Sequence, residues 1–271
     1  SALRLLMNCS HRAPTDSAER MCREMNLPMS TQAELSLLGP AIHAQALTMK
    51  TARMTAYKDI NLDLAAGQAH ALLAEHKAGK RELLLTLAGH MLASSGELTI
   101  GGLNARSVKD LHTIKKLSGL GWFSHVNELE KVLRVRTCIS AELGLMSKKS
   151  NRVATDAYLE QWGLLDVAEK NLEELDRITY DLVGIALGMA GDPKLLVVQE
   201  IERDLTELQT LQLIDILCEI SHSRGATVVC GMCDYGLARK FDSISCLTEA
   251  ARAQRDAVCG QAAQTTPLGV A

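Results

Sequence analysis

Gly79 and Lys80 stand where a glycine and a lysine can handle phosphate. An apolar run of strand length (residues 69–73) leads into a loop of Ala74, Glu75, His76, Lys77 and Ala78. The pair follows, and Arg81 and Glu82 then open a helix-forming stretch. A phosphate-binding loop of the form G-x-x-x-x-G-K-[ST] needs this order of strand, loop and helix. Its glycines let backbone N–H groups turn inward on the anion, its lysine reaches the outer phosphates, and its hydroxyl holds Mg²⁺. Here Ala74 takes the place of the first glycine and Arg81 that of the hydroxyl. A guanidinium has no lone pair to give a metal, so half the pattern is present. The stretch reads equally as a decayed phosphate loop or as an ordinary helix N-terminus. Lys77, Lys80 and Arg81 gather positive charge where the helix dipole disfavours it unless an anion is near. That conflict predicts a bound anion or a carboxylate, from Glu75 or Glu82, folded over the loop.

Other reactive side chains are more scattered. Cys230 and Cys233 have C-x-x-C spacing, which suits a redox pair or half a zinc site. No second pair completes a site, so they read as core strand plus strand-end thiol. Gln199 and Glu200 end a fully apolar run, where a glutamate pairs with a nearby cation or acts as a base. His76 and His125 fall on loops and read as solvated.

The elements that must position these groups follow from the pattern. At 271 residues, 47% hydrophobic and 23% charged, the chain can bury a full core without staples. A net charge of −3 argues against broad nucleic-acid binding, and no apolar run reaches the roughly 18 residues of a spanning helix. Eight scattered cysteines without a signal peptide fit a reducing cytosol. The chain does not open on Met, which reads as a processed or excised piece. Residues 1–40 form a leader with helices over 15–25 and 30–38. Strands are expected over 41–49, 60–64, 97–100, 120–123, 195–198 and 226–230. Helices are expected near 109–116, through 126–174, and over 181–190 and 208–221. Residues 250–271, rich in Ala, Gln and Thr, read as a tail. Apolar strands alternating with helices mean a parallel sheet covered on both faces.

With these elements placed, residues 41–249 resemble the nucleotide-binding domain of an ABC transporter. The likeness rests on order, spacing and connecting sequence: Ala65-Ala66-Gly67 before the phosphate loop, Ser94-Ser95-Gly96-Glu97-Leu98 with Gly101-Gly102, Trp162-Gly163-Leu164-Leu165-Asp166, and Ala190-Gly191-Asp192-Pro193. The fold it implies is α/β: a P-loop NTPase-like cassette with a mainly parallel core sheet, an antiparallel β-subdomain and a helical subdomain at about 126–190. The resemblance places the nucleotide at Ala74–Glu82, His125 and Gln199, with Lys80 as the Walker A lysine. His125 stands for the glutamine of the glutamine loop, and Gln199 for the magnesium-directed aspartate. Glu200 fills the catalytic-base position and Cys233 that of the switch histidine. The signature L-S-G-G-Q reads Leu175-Asp176-Arg177-Ile178-Thr179, without its glycines.

Phosphoryl transfer depends on positioning and electrostatics, so each change removes a working part. The resemblance thus implies a degenerate cassette without hydrolysis of its own. It would bind ATP weakly, hold no Mg²⁺, and serve a structural or regulatory role peripheral to the cytoplasmic face of a membrane. Its partners would be a transmembrane permease and a second cassette paired head to tail, with no nucleic acid. The alternative is a divergent but active transport ATPase, including the tandem carbohydrate-importer type that Ala78-Gly79-Lys80-Arg81-Glu82-Leu83 resembles.

Overall fold

A computed structural model describes residues 38–51, 54–76, 79–123 and 126–264, with side chains to 259. The leader helices expected over 15–25 and 30–38, and Lys77, Ala78 and His125, lie outside the described residues, apart from Leu38 itself.

The described part begins with two antiparallel strands, β1 (Ile42–Lys50) and β2 (Thr55–Leu64), and continues through the buried strand β3 (Ala69–Leu73) into helix α1 (Lys80–Leu87). Strands β4 (Ser95–Ile100) and β5 (Leu103–Asn104) follow, then helix α2 (Val108–Leu117) and strand β6 (Ser118–Leu120). Helices α3 (Val135–Leu145) and α4 (Arg152–Gln161) come next, and α5 (Arg177–Gly188) leads to β7 (Leu195–Glu200). The order ends with α6 (Glu207–Arg224), β8 (Thr227–Met232), α7 (Tyr235–Ala238), β9 (Ser243–Cys246) and α8 (Glu249–Gln264).

Two sheets result. One is antiparallel in the order β2-β1-β4-β5; the other is parallel in the order β6-β7-β8-β3-β9. Strands β3 and β8 are buried at every position, because residues alternate between two apolar cores. Leu72, Leu195, Val197 and Val229 face the antiparallel sheet and α1. Ala71, Leu73, Leu196, Val198, Val228 and Cys230 face α5 and α6. Each buried Leu or Val contributes roughly 1.5–3 kcal/mol, and a one-residue slip would exchange the two faces. A third core, with Val135, Ile139, Leu159 and Val183, gathers α3, α4 and α5 into the helical part.

Four boundaries differ from the sequence expectation. β6 stops at Leu120, leaving Trp122 and Phe123 beyond the sheet. α5 starts at Arg177 rather than 181, because Asp176 caps it through the Thr179 N–H at 3.0 Å. β8 runs on to Met232, so Cys230 lies inside the strand and Cys233 just past its end. Most of the stretch read as a tail is helix α8, with Ala251 buried. Among the described residues no helix is long and apolar enough to cross a membrane.

Candidate functional site

The C-terminal edge of the parallel sheet positions the reactive side chains. β7, β8 and β3 are neighbours, so Glu200 at the end of β7, Cys233 after β8, and the loop after β3 meet at one place. Lys80 begins α1 there, and its side chain is only 2% exposed. Its ammonium donates to Ala74 O at 2.6 Å, to Met232 O at 2.8 Å and to Cys233 Sγ at 3.0 Å. It also pairs with Glu200 Oε1 at 2.8 Å. The other carboxylate oxygen, Oε2, lies 2.8 Å from His76 Nδ1, which is also 3.5 Å from Cys233 Sγ.

These contacts set the charge states. Burial pushes the Glu200 carboxyl up, but the hydrogen bonds and charges of Lys80 and His76 outweigh it and hold the group below the ordinary carboxylate range. For Cys233 burial dominates over the lysine, and the thiol is pushed up to about 11. Glu202, which the sequence reading missed, accepts the backbone N–H groups of Cys233 at 2.6 Å and Asp234 at 2.8 Å. Burial raises its carboxyl even so. An acid two residues beyond Glu200 at a strand end was the available signal.

The carboxylate that neutralises Lys80 is therefore Glu200, and the expectation of Glu75 or Glu82 over the loop needs correcting. Glu75 turns away to accept from Thr248 Oγ1 at 2.8 Å. Glu82 pairs with its neighbour Arg81, Oε1 to Nη2 at 2.7 Å. His76 is also not merely solvated, since its ring is tied to Glu200. Ala74 is buried, and its N–H donates to Met232 O at 3.1 Å. Gln199 is half-buried as the penultimate residue of β7.

The residues expected at the signature positions belong to a different neighbourhood. Leu175 and Asp176 precede α5; Arg177, Ile178 and Thr179 form its first turn. The Arg177 side chain bonds Asp181 Oδ2 at 2.9 Å and stacks 4.7 Å over the Trp122 ring. Ile178 packs on the α5–α6 core. Burial pushes the Asp181 carboxyl up to about 6, against the pull of Arg177.

Among the described residues, the Lys80 ammonium has no N–H left over for a phosphate. An ammonium has three N–H donors, and four acceptors within 3.0 Å already surround this one. Arg81 offers no lone pair. The ligating side chains that do converge are His76, Glu200 and Cys233, the one such group of three among the described residues.

Comparison with known proteins agrees on the fold. CbiO1 from Clostridium perfringens, part of the ABC transporter complex CbiONQ, superposes with a TM-score of 0.68 at 17% identity, over 84% of this chain and 96% of that one. A dimeric ATP-binding cassette in a post-hydrolysis state with ADP and phosphate gives 0.64 at 20% identity, over 76% and 94%. This chain has the fold of an ABC-type cassette. The cassette is also 28% identical over 180 residues to the methionine import ATP-binding protein MetN of Carboxydothermus hydrogenoformans, 65% of this chain and 53% of that protein. It thus spans about half the length of that relative. It is 26% identical over 208 residues to the phosphonates import ATP-binding protein PhnC of Trichormus variabilis, 74% of the cassette and 85% of that protein. No protein-family model matches the cassette.

Proposed function

We propose that the cassette is the ATP-binding-cassette component of an ABC importer, peripheral to the cytoplasmic face of a transmembrane permease. There it acts as a structural or regulatory partner that binds ATP weakly and does not hydrolyse it. The importer part of this reading draws on relatives named for methionine and phosphonate import and for ATP binding. The rest is carried by one observation: the Lys80 ammonium is wholly engaged by Ala74, Met232, Cys233 and Glu200. To meet a phosphate, Lys80 must first leave a buried ion pair, which subtracts from nucleotide affinity. Glu200, in the base position, is held by the same lysine and by His76.

The metal positions point the same way. Arg81 replaces a hydroxyl and Gln199 a carboxylate, so Mg²⁺ should add little. Losing even one transition-state contact costs about 10²–10³ in rate, and several positions are altered together.

The test is ATP hydrolysis by the purified chain against its Lys80→Ala variant, with calorimetric titration of ATP with and without Mg²⁺. The expected result is equal turnover and weak binding that Mg²⁺ does not improve. A Mg²⁺-dependent turnover well above that of the variant would overturn the proposal in favour of a divergent active ATPase.

A further inference from the structure

We infer that His76 Nδ1, Glu200 Oε2 and Cys233 Sγ form a binding site for a zinc-class divalent cation at the C-terminal edge of the parallel sheet. The three donor atoms all lie within 4.8 Å of one another. The imidazole nitrogen is 2.8 Å from the carboxylate oxygen and 3.5 Å from the sulfur. Zinc bonds of about 2.0–2.2 Å to N and O and about 2.3 Å to S set tetrahedral donor separations of about 3.4–3.6 Å. The nitrogen–sulfur separation already matches, and the His76 and Glu200 atoms need to part by only about half an ångström.

The donor set selects the ion. Thiolate and imidazole suit zinc and its neighbours, whereas magnesium and calcium want oxygen. Cys230, the other member of the C-x-x-C pair, is fully buried in the core. The site therefore joins one cysteine of that pair to Glu200 at the end of β7 and to His76 in the loop after β3.

The fold pre-organises the ligands. β7 pairs with β8 at Glu200 and Gly231, and β8 with β3 at Met232 and Leu73, so register alone brings the three chain segments together. Outer contacts orient them, as metal sites require. Lys80 holds the second Glu200 oxygen at 2.8 Å, and Glu202 pins the backbone at Cys233 and Asp234. His76 is 63% exposed, which provides an entry path and leaves a fourth position to water. On binding, the Cys233 thiol releases its proton to solvent. The thiolate and Glu200 then offset much of the charge of the ion and Lys80. A metal here keeps Lys80 on Glu200 and so opposes nucleotide entry. The site itself stands whether or not the cassette hydrolyses ATP.

Cobalt is the probe, since tetrahedral Co²⁺ absorbs in the visible and a cobalt–thiolate bond adds a near-ultraviolet band. The chelator-treated full chain should bind one equivalent with both features, and Zn²⁺ should displace it. Cys233→Ser should abolish the thiolate band, and His76→Ala should weaken binding at least about tenfold. Cys259→Ser, which removes the exposed thiol, should change neither. Melting curves of each variant check folding. If Cys233→Ser fails to fold, His76→Ala carries the test, because its side chain lies mostly in solvent. Absence of the thiolate band in the intact chain, or affinity unchanged in His76→Ala, overturns the site.

Discussion

A lysine only 2% exposed is tolerated because every proton on its ammonium finds an acceptor and a carboxylate cancels its charge. Asp181 is less well compensated. Its carboxyl ordinarily titrates at 3.8 and is pushed up to about 6 by burial, only partly offset by Arg177. A raised acid pKa favours the folded state while the group is protonated. That contribution is therefore fully present below pH 3.8 and is lost as pH rises through 6. Relative to Asp181→Asn, which cannot ionise, the native chain should lose roughly 2–3 kcal/mol between pH 4 and 7. Urea denaturation of both proteins from pH 4 to 7 measures it. A stability difference that does not change with pH would contradict the assignment.

At the scale of elements, the seam between β2 and the start of α1 decides where the loop lies. Gly79 caps α1 at φ +74°, and a Cβ there would meet the Ala56 carbonyl oxygen at 1.9 Å. Nearby, Tyr57 Oη and Thr86 Oγ1 share a buried hydrogen bond of 2.9 Å. Gly163 has a similar φ of +67° but no neighbour within 4 Å of its Cβ position. Alanine at either site incurs the left-handed strain of about 1–2 kcal/mol, and only Gly79→Ala also forces β2 away from α1. Gly79→Ala should therefore be the more destabilising by at least about 1 kcal/mol. Equal denaturation midpoints for the two variants would refute the close packing.

For the whole molecule, the question is whether the cassette can complete a site on a partner. Head-to-tail pairing would require backbone N–H groups of the signature to approach a nucleotide on the other chain. Here those positions are the first turn of α5, with Arg177 bonded to Asp181 and laid over Trp122. In such a pairing, side chains at Arg177 and Ile178 would hold a second backbone away where glycines would admit it. If the proposed role holds, mixing the chain with an intact ABC cassette and a slowly hydrolysed ATP analogue should give no nucleotide-dependent heterodimer on size-exclusion chromatography. Arg177→Gly with Ile178→Gly should admit one. It would do so with a loss of about 1 kcal/mol of helix stability per glycine, besides the ion pair. A heterodimer formed by the unmodified chain would contradict both the expectation of an inactive signature face and the proposed non-catalytic role.

What the sequence determined by itself was local. Apolar runs marked β3, β7 and β8, and Gly79-Lys80 marked the turn into α1, because strand burial and helix starts are written in adjacent residues. The order of these segments was enough to reach the cassette fold. The end of α5 nearest the signature was misplaced, since the cap at Asp176 competes with a pattern that only becomes strongly apolar from Leu182 onward. The partner of Lys80 was beyond reach. Glu75 and Glu82 are its neighbours along the chain, while Glu200 becomes its neighbour only because β8 lies between β7 and β3. The same strand order brings His76 and Cys233 to one carboxylate. Tertiary structure decided the chemistry of this edge because ion pairing falls off over a few ångströms of space, and distance in the chain carries no information about that.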